Sequence, residues 1–182
     1  MIKRRGSLVE IEVKIIEIDR EEVEARLKSL KATKTLDDDV DTIFFDFPSN
    51  SISKAKNLLR LRRIGSKAGI TFKKFVESDT AKVRVEYNVS VSDFEAANSI
   101  LQSLGLIPTM RMEKHRTSYI MNGDVEVDID KYTGQYSHIP TFLEVEGPNI
   151  PKIHAQAKLL GFAPEQCKPW TTFDLINHYS TK

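Results

Sequence analysis

Charged residues of like sign recur at every second position in several short segments of this sequence. Acidic residues do so in Glu10–Glu12, Glu126–Asp130 and Glu144–Glu146, and basic residues in Arg60–Arg62 and Lys114–Arg116. Residues two apart on an extended strand share a face, where like charges repel unless a group of opposite charge binds between them. Carboxylates in that arrangement are ligands for hard divalent cations, and Arg and Lys side chains bind phosphate oxygens. The spacing therefore points to chemistry on a phosphate compound together with a metal ion.

The charged faces taken together are balanced in sign. Their eight basic residues are Lys14, Arg60, Arg62, Lys73, Lys82, Arg84, Lys114 and Arg116, and their eight acidic residues are Glu10, Glu12, Glu86, Glu126, Asp128, Asp130, Glu144 and Glu146. Burying so many ions is costly unless they pair or bind a ligand, so an enclosed charged face would indicate function. An open antiparallel sheet with its charged face in water shows the same alternation and is the alternative interpretation.

Residues that alternate in this way share a face only if the segment is a β-strand, and the alternation predicts about eight strands. The predicted strands are 8–18, 40–47, 58–64, 70–75, 82–91, 112–121, 124–131 and 141–146. Helices are predicted to begin at Asp19 and Ser92, each with a capping box, and to lie near 151–160 and 172–179. Asn122-Gly123 is typical of a tight hairpin turn. These elements predict a single α+β domain over residues 1–182, built on a large antiparallel sheet or a closed barrel.

Composition excludes several classes of protein. The chain has 182 residues, of which 40% are hydrophobic and 29% charged, and its formal net charge is +1. That charge argues against a strongly basic nucleic-acid binder. The single cysteine, Cys167, excludes an intramolecular disulfide and a cysteine-based zinc site. No apolar stretch is long enough to span a membrane. We therefore expect a soluble protein in the reducing cytoplasm.

The ordered motifs resemble those of one family. Glu10–Lys14, which reads E-I-E-V-K, matches the E-x-E-x-K signature of the CYTH domain, also called the triphosphate tunnel metalloenzyme family. Later segments resemble further family motifs in the same order: Leu59–Arg62, Thr71–Lys73, Arg84–Glu86, Glu113–Tyr119, Val127–Asp130 and Leu143–Gly147. Because the resemblance spans nearly the whole chain, the sequence is identified as a member. The family includes thiamine triphosphatases, inorganic tripolyphosphatases and class IV adenylyl cyclases.

The resemblance implies an eight-stranded antiparallel barrel whose tunnel holds a small-molecule triphosphate, with helices packed outside. The phosphate chain would be bound by Lys14, Arg60, Arg62, Lys73, Arg84, Lys114 and Arg116. Two Mg²⁺ or Mn²⁺ ions would be held by Glu10, Glu12, Asp128, Asp130, Glu144 and Glu146, with the choice between Asp128 and Asp130 left open. Glu12 is the candidate for activating water in hydrolysis of the phosphoanhydride. No nucleic-acid or membrane partner is expected, and both a monomer and a homodimer remain open.

Two rival functions accompany this hypothesis. A class IV adenylyl cyclase would form cyclic AMP from ATP, but Ser7 and Leu8 stand where such cyclases tend to carry His-Phe. A non-catalytic polyphosphate- or nucleotide-binding module is the third option, although anion binding alone gains nothing from paired carboxylates. One departure from the family pattern is Asn88, which occupies the second acidic position of the R-x-E-x-E motif. Tyr132 and Tyr136 are open candidates for stacking on an organic group.

Overall fold

The computed structural model describes residues 11–76 and 83–180, with residues 76, 83 and 84 described by their backbone alone. Glu10, Lys82 and the side chain of Arg84 therefore lie outside the described part of the chain. The described residues form eight strands and five helices. The strands are β1 (Ile11–Ile15), β2 (Thr33–Asp46), β3 (Leu58–Ile64), β4 (Lys67–Val76), β5 (Val83–Val91), β6 (Ile107–Met121), β7 (Val125–Tyr132) and β8 (Phe142–Gly147). The helices are α1 (Arg20–Ser29), α2 (Ser51–Lys54), α3 (Phe94–Ser103), α4 (Ile150–Leu159) and α5 (Thr172–Ser180).

All eight strands belong to one antiparallel sheet, which confirms the α+β class. The hydrogen-bonded strand order is β1-β8-β7-β6-β2-β3-β4-β5. Among the described residues no strand pairing joins β1 to β5, the two ends of that order. The outer edge of β1 instead pairs at Lys14 with Lys168, through two backbone hydrogen bonds of 2.8 Å. The closed barrel therefore stays a prediction.

The chain divides into two compact units. Within the described residues, the first unit comprises residues 40–76 and 83–112, and the second comprises residues 11–39 and 113–180. Strands β2 and β6 each run from one unit into the other. The single domain over residues 1–182 stays a prediction.

Each unit buries the apolar face of its strands beneath helices. In the second unit that core joins residues of β1, β7 and β8 to α1 and α4: Val13, Ile15, Val127, Ile129, Leu143, Val145, Val23, Leu27, Ile153 and Ala157. In the first unit it joins β2 and β3 to α3: Ile43, Phe45, Leu61, Phe94, Ala97 and Leu101. Full burial of such a side chain contributes roughly 1.5–3 kcal/mol. Helices that cover the apolar faces leave the alternate, charged residues of the same strands on the opposite side.

The local signals in the sequence locate most element boundaries. Asp19 caps α1 by accepting a hydrogen bond from the backbone N–H of Glu22, as predicted. The prediction for α3 was wrong by one residue, because Asp93 rather than Ser92 is the cap, accepting from the backbone N–H of Ala96. The predicted turn between β6 and β7 is confirmed, with φ of 49° at Asn122 and 84° at Gly123.

Membrane-crossing helices are not part of this fold as far as it is described. None of the helices in residues 11–76 and 83–180 combines the length and the apolar character that crossing a bilayer requires.

Candidate functional site

The charged face of the second unit is organised by strand register. Two rows of directly opposed residues cross β1, β8 and β7: Glu12–Glu146–Glu126 and Lys14–Glu144–Asp128. On β6, Arg116 stands opposite Asp130 of β7. Directly opposed residues of antiparallel strands lie on the same face of the sheet. The register therefore gathers the predicted charged residues of this unit on one face.

Lys14 is at the centre of that face and is enclosed. Its side chain is 1% exposed, and its ammonium group donates to Glu144 Oε1 at 2.9 Å and to Glu12 Oε1 at 3.2 Å. Burial acts to lower the pKa of Lys14, but the carboxylates of Glu144 and Glu12 outweigh it and raise that pKa above its usual value. Lys14 is therefore a fixed positive charge. Glu12, at 42% side-chain exposure, is the more accessible partner.

Arg116 contacts three carboxylates at once. Its Nε donates to Asp130 Oδ1 at 2.7 Å, and its Nη2 lies 2.5 Å from both Asp130 Oδ2 and Glu144 Oε2. Its Nη1 forms an ion pair with Asp128 Oδ2. Burial opposes the charged form, yet the carboxylates of Asp130, Glu144 and Asp128 raise the pKa of Arg116 well above its usual value. One guanidinium group thus holds three predicted metal ligands in place.

Lys114 completes the basic part of the face. Its ammonium group lies 2.5 Å from Asp130 Oδ2 and 3.8 Å from Glu144 Oε1. It also lies 5.8 Å from the ring centroids of Tyr132 and Phe142, within the range of a cation–π contact. Burial raises the pKa of Glu144, but Lys114, Arg116 and Lys14 together hold that pKa well below its usual value. Glu144 is therefore ionised, as an acceptor of these hydrogen bonds must be.

Asp128 differs from the other acidic residues of the face. Burial raises the pKa of Asp128 to about 7, against the opposing effect of Arg116. Within the described part of the chain, its buried Oδ1 atom has no hydrogen-bond partner. A buried carboxylate oxygen without a protein donor is rare, and such an oxygen commonly binds an ion or a water molecule.

The donor types on this face fit a hard divalent cation, although their present positions do not enclose one. All candidate ligands are carboxylates, the oxygen donors that Mg²⁺ and Mn²⁺ prefer, and the buried Asp128 Oδ1 remains available to a cation. In residues 11–76 and 83–180, no three Asp, Glu, His or Cys side chains converge as a metal site requires. Asp130 and Glu144 are instead held by Lys114 and Arg116.

The first unit carries a second charged face, on β2 to β5. Arg60 stands opposite Phe44 and Thr71, and Arg62 stands opposite Thr42 and Gly69. The guanidinium Nε of Arg62 donates to the Thr42 hydroxyl at 3.2 Å. These positions place two arginines predicted to bind phosphate on one side of the sheet.

Lys73 of β4 and Glu86 of β5 form an ion pair on this face. The two residues are directly opposed in the β4–β5 register. Asn88 accepts a hydrogen bond of 2.7 Å from the Thr71 hydroxyl. The residue that departs from the acidic motif is thus built into this face as a neutral partner. Arg84 belongs to β5 by its backbone, and its side chain is not described.

The family of the chain follows from a match of most of its length. The family model described as "CYTH domain" matches residues 8–157. This chain belongs to the CYTH domain family. The match confirms the resemblance predicted from the motifs, and no curated protein matches the chain at a comparable level.

Solved structures show the same CYTH fold. The PH1012 protein of Pyrococcus horikoshii is 25% identical, with a TM-score of 0.73 and coverage of 93% of this chain and 100% of that one. A candidate adenylate cyclase of Vibrio parahaemolyticus is 14% identical, with a TM-score of 0.77 and coverage of 94% and 99%. An adenylyl cyclase candidate of Hippeastrum, described as having a dominant triphosphatase activity, is 14% identical, with a TM-score of 0.66 and coverage of 94% and 96%.

Within this CYTH chain, the structure distinguishes the predicted site residues by location. In the second unit it brings together Glu12, Lys14, Lys114, Arg116, Asp128, Asp130, Glu144 and Glu146, and in the first unit Arg60, Arg62 and Lys73. Glu10 lies outside the described residues. Part of the charged face of the second unit is enclosed rather than exposed to water, since Lys14, Lys114, Asp128 and Asp130 are all buried.

Two acidic residues of this CYTH chain were missing from the predicted site. Glu126 shares a row with Glu12 and Glu146, and Glu86 pairs with Lys73. Both belong to the alternating charged faces, so alternation was the signal that could have found them. Tyr132 does not offer a ring for stacking on an organic group, because it is 1% exposed and packs against Phe142.

Proposed function

We propose that this CYTH protein hydrolyses the terminal phosphoanhydride bond of a small-molecule triphosphate with the help of a divalent cation. The observation that carries the proposal is the buried cluster on the second unit, where Lys14, Lys114 and Arg116 meet Asp128, Asp130 and Glu144. Burying six ionised or ionisable groups is a poor way to stabilise a fold, since well-packed apolar residues do so equally well or better. Their chemical types are those that bind phosphate and a cation. The closed barrel implied by the resemblance is part of this proposal.

The basic residues would bind and orient the phosphate chain. Arg60, Arg62 and Lys73 in the first unit, with Arg84 on the same strand set, carry groups that neutralise phosphate oxygens. Lys14, Lys114 and Arg116 would do so in the second unit. Phosphoryl transfer depends mainly on positioning and on stabilising charge, and fixed basic groups supply both.

The carboxylates Glu10, Glu12, Asp128, Asp130, Glu144 and Glu146 would hold Mg²⁺ or Mn²⁺. The bound cation supplies charge neutralisation and lowers the pKa of water. Glu12 is the accessible carboxylate of the cluster, and we assign to it the proton of the attacking water. The water oxygen forms a bond to the terminal phosphorus, the bond from that phosphorus to the bridging oxygen breaks, and the shortened phosphate chain leaves with the bridging oxygen.

Product analysis tests this function. Purified protein is incubated with tripolyphosphate, thiamine triphosphate and ATP in Mg²⁺ or Mn²⁺, and the products are separated. Release of inorganic phosphate supports the hydrolase and identifies the organic group. Formation of cyclic AMP and pyrophosphate would instead show that the protein is an adenylyl cyclase. Triphosphate binding without turnover would show that it is a non-catalytic binding module.

Two variants, Glu12→Gln and a control at an exposed glutamate, test whether Glu12 is the residue that takes the proton of the attacking water. Glu12→Gln should abolish turnover while leaving the unfolding transition in place, because Glu12 is the more exposed partner of Lys14. Glu95→Gln is the control, since Glu95 lies on α3 with an exposed side chain. Full activity in Glu12→Gln would refute the assignment of Glu12. A reducing cytoplasmic setting, expected from the single cysteine, completes the proposal.

A further inference from the structure

The cation site and the basic residues of the second unit share the same carboxylates. Arg116 contacts Asp128, Asp130 and Glu144 through all three nitrogens of its guanidinium group. Lys114 engages Asp130, and Lys14 engages Glu144. Each of these contacts occupies a carboxylate oxygen that a divalent cation would need.

The same contacts explain why no cation site is assembled as the residues stand. In the described part of the chain, no three acidic, His or Cys side chains are arranged so that they could hold a metal ion. Three predicted ligands are turned toward one guanidinium group instead. Glu144 Oε2 lies 2.5 Å from Arg116 Nη2, a distance that leaves no space for an ion between them.

A triphosphate offers Arg116 a different anion. Phosphate oxygens match the guanidinium fork as well as carboxylates do, and a triphosphate carries several negative charges. When Arg116 pairs with phosphate, Asp128 loses its ion pair while still buried, and Asp130 and Glu144 keep only their lysine partners. A buried carboxylate that has lost its cation is strongly unfavourable, so Asp128, whose Oδ1 is already buried without a partner in the described part of the chain, then gains most from a divalent cation.

We propose that Arg116 couples the two ligands of this site, so that the divalent cation binds tightly only when a triphosphate has drawn Arg116 away from Asp128, Asp130 and Glu144. The inference rests on the proposed function. Coupling of this kind is reciprocal, so the cation must strengthen triphosphate binding by the same factor. A factor of about ten or more is expected, because three contacts are exchanged at one residue.

The first test measures Mn²⁺ binding by electron paramagnetic resonance with no phosphate compound present. Arg116→Gln should bind Mn²⁺ about tenfold more tightly than the wild type, since its three carboxylates are released. Lys114→Gln is the matched control, because it removes the same charge from the same cluster but its ammonium group contacts chiefly Asp130. Equal tightening in both variants would show that charge alone is responsible and would overturn the role of Arg116.

The second test uses the wild type, so it does not depend on whether Arg116→Gln folds. Binding of Mn²⁺, of a non-hydrolysable methylene-bridged triphosphate analogue, and of both together is measured by calorimetry, with correction for the complex that the two form in solution. Ternary binding about tenfold tighter than the product of the separate affinities supports the coupling. Independent binding of the two ligands would overturn it. Phosphate release from tripolyphosphate by the same preparation shows separately whether the proposed hydrolysis holds.

Discussion

The two charged faces of this protein use similar residues in opposite ways. On the second unit, three described basic residues meet an excess of acidic residues, and the ion pairs are buried. On the first unit, Arg60, Arg62 and Lys73 share their face with Glu86, which forms an ion pair with Lys73. The chain as a whole is nearly neutral, with a formal net charge of +1. Acidic and basic residues are therefore distributed unequally between the two faces, although the composition of the whole chain is nearly balanced.

This difference separates two kinds of contribution to the site. A face with excess basic residues attracts phosphate through its net positive charge. A face whose bases are already paired must exchange partners before it binds either ligand. Substitutions of the buried charged residues on the second unit should therefore change stability together with activity, whereas substitutions on the first unit should change activity more than stability. Single substitutions on each face can test that distinction.

The largest effect on stability is expected for Glu144→Gln. Glu144 accepts from Lys14 and Arg116 and lies near Lys114, so its loss removes one compensating carboxylate from three buried cations at once. Removing one partner of a buried ion pair costs about 3–5 kcal/mol. Urea unfolding of the variant measures this loss. An unfolding free energy within about 1 kcal/mol of the wild type would show that the buried network does not stabilise the second unit.

Arg62→Gln should lower activity strongly and stability little, the opposite of what is expected for Glu144→Gln. The guanidinium Nε of Arg62 donates to the Thr42 hydroxyl, a neutral partner, and replacing Arg62 removes a predicted phosphate ligand. We expect kcat/KM for tripolyphosphate to fall by about 100-fold, the scale for losing one charge-stabilising donor. The unfolding free energy should stay within about 1 kcal/mol of the wild type. Loss of stability equal to that of Glu144→Gln would erase the distinction between the faces.

Glu86→Gln should strengthen phosphate binding by a smaller factor. Glu86 forms an ion pair with Lys73, directly opposite it in the β4–β5 register. Removing its charge frees Lys73 for phosphate, and triphosphate affinity should rise by roughly threefold. Calorimetric titration with the methylene-bridged analogue measures the change. Weaker binding in the variant would indicate that Glu86 orients Lys73 rather than competing for it.

The smallest expected effect is on the pH dependence of stability, and it concerns His115, which is not one of the residues of the two charged faces. Hydrogen bonds to Asp39 and Asp37 raise the pKa of His115 above its usual value of 6.5. A raised folded-state pKa gives stability that is complete below pH 6.5 and is lost as the pH rises through the folded value. Compared with His115→Gln, the wild type should thus lose stability above pH 6.5, by less than about 1 kcal/mol because the pair is exposed. Parallel pH dependences of urea unfolding in the two proteins would contradict this.

Alternation predicted much of the fold because it reports which strand face meets the helices. The bounds of β3, Leu58–Ile64, are as predicted, and the helix cap at Asp19 is confirmed. The prediction began β2 at residue 40, but it begins at Thr33. Its Asp37–Asp39 run has low strand propensity, and contacts made across the fold override that tendency. Asp37, for example, accepts hydrogen bonds from His115 and Thr117.

The residues that share each charged face were also predictable, but which base pairs with which acid was not. Residue types and spacing identified the charged positions, since strand geometry fixes which residues share a face. Which base pairs with which acid depends on register between strands that are distant in sequence, such as β1 with β8. The convergence of Asp128, Asp130 and Glu144 on Arg116 is of this kind. These contacts depend on how strands distant in sequence pack together, so no single segment of the sequence predicts them.

The most direct test of the proposed hydrolysis is a ³¹P NMR time course of wild-type protein with tripolyphosphate and Mg²⁺. We expect the middle-phosphate resonance of tripolyphosphate to disappear while pyrophosphate and inorganic phosphate appear in equal amounts. Glu12→Gln under the same conditions should leave the spectrum unchanged. A wild-type spectrum that stays that of tripolyphosphate, with the protein folded and Mg²⁺ in excess, would contradict the claim that this buried charged face cleaves it.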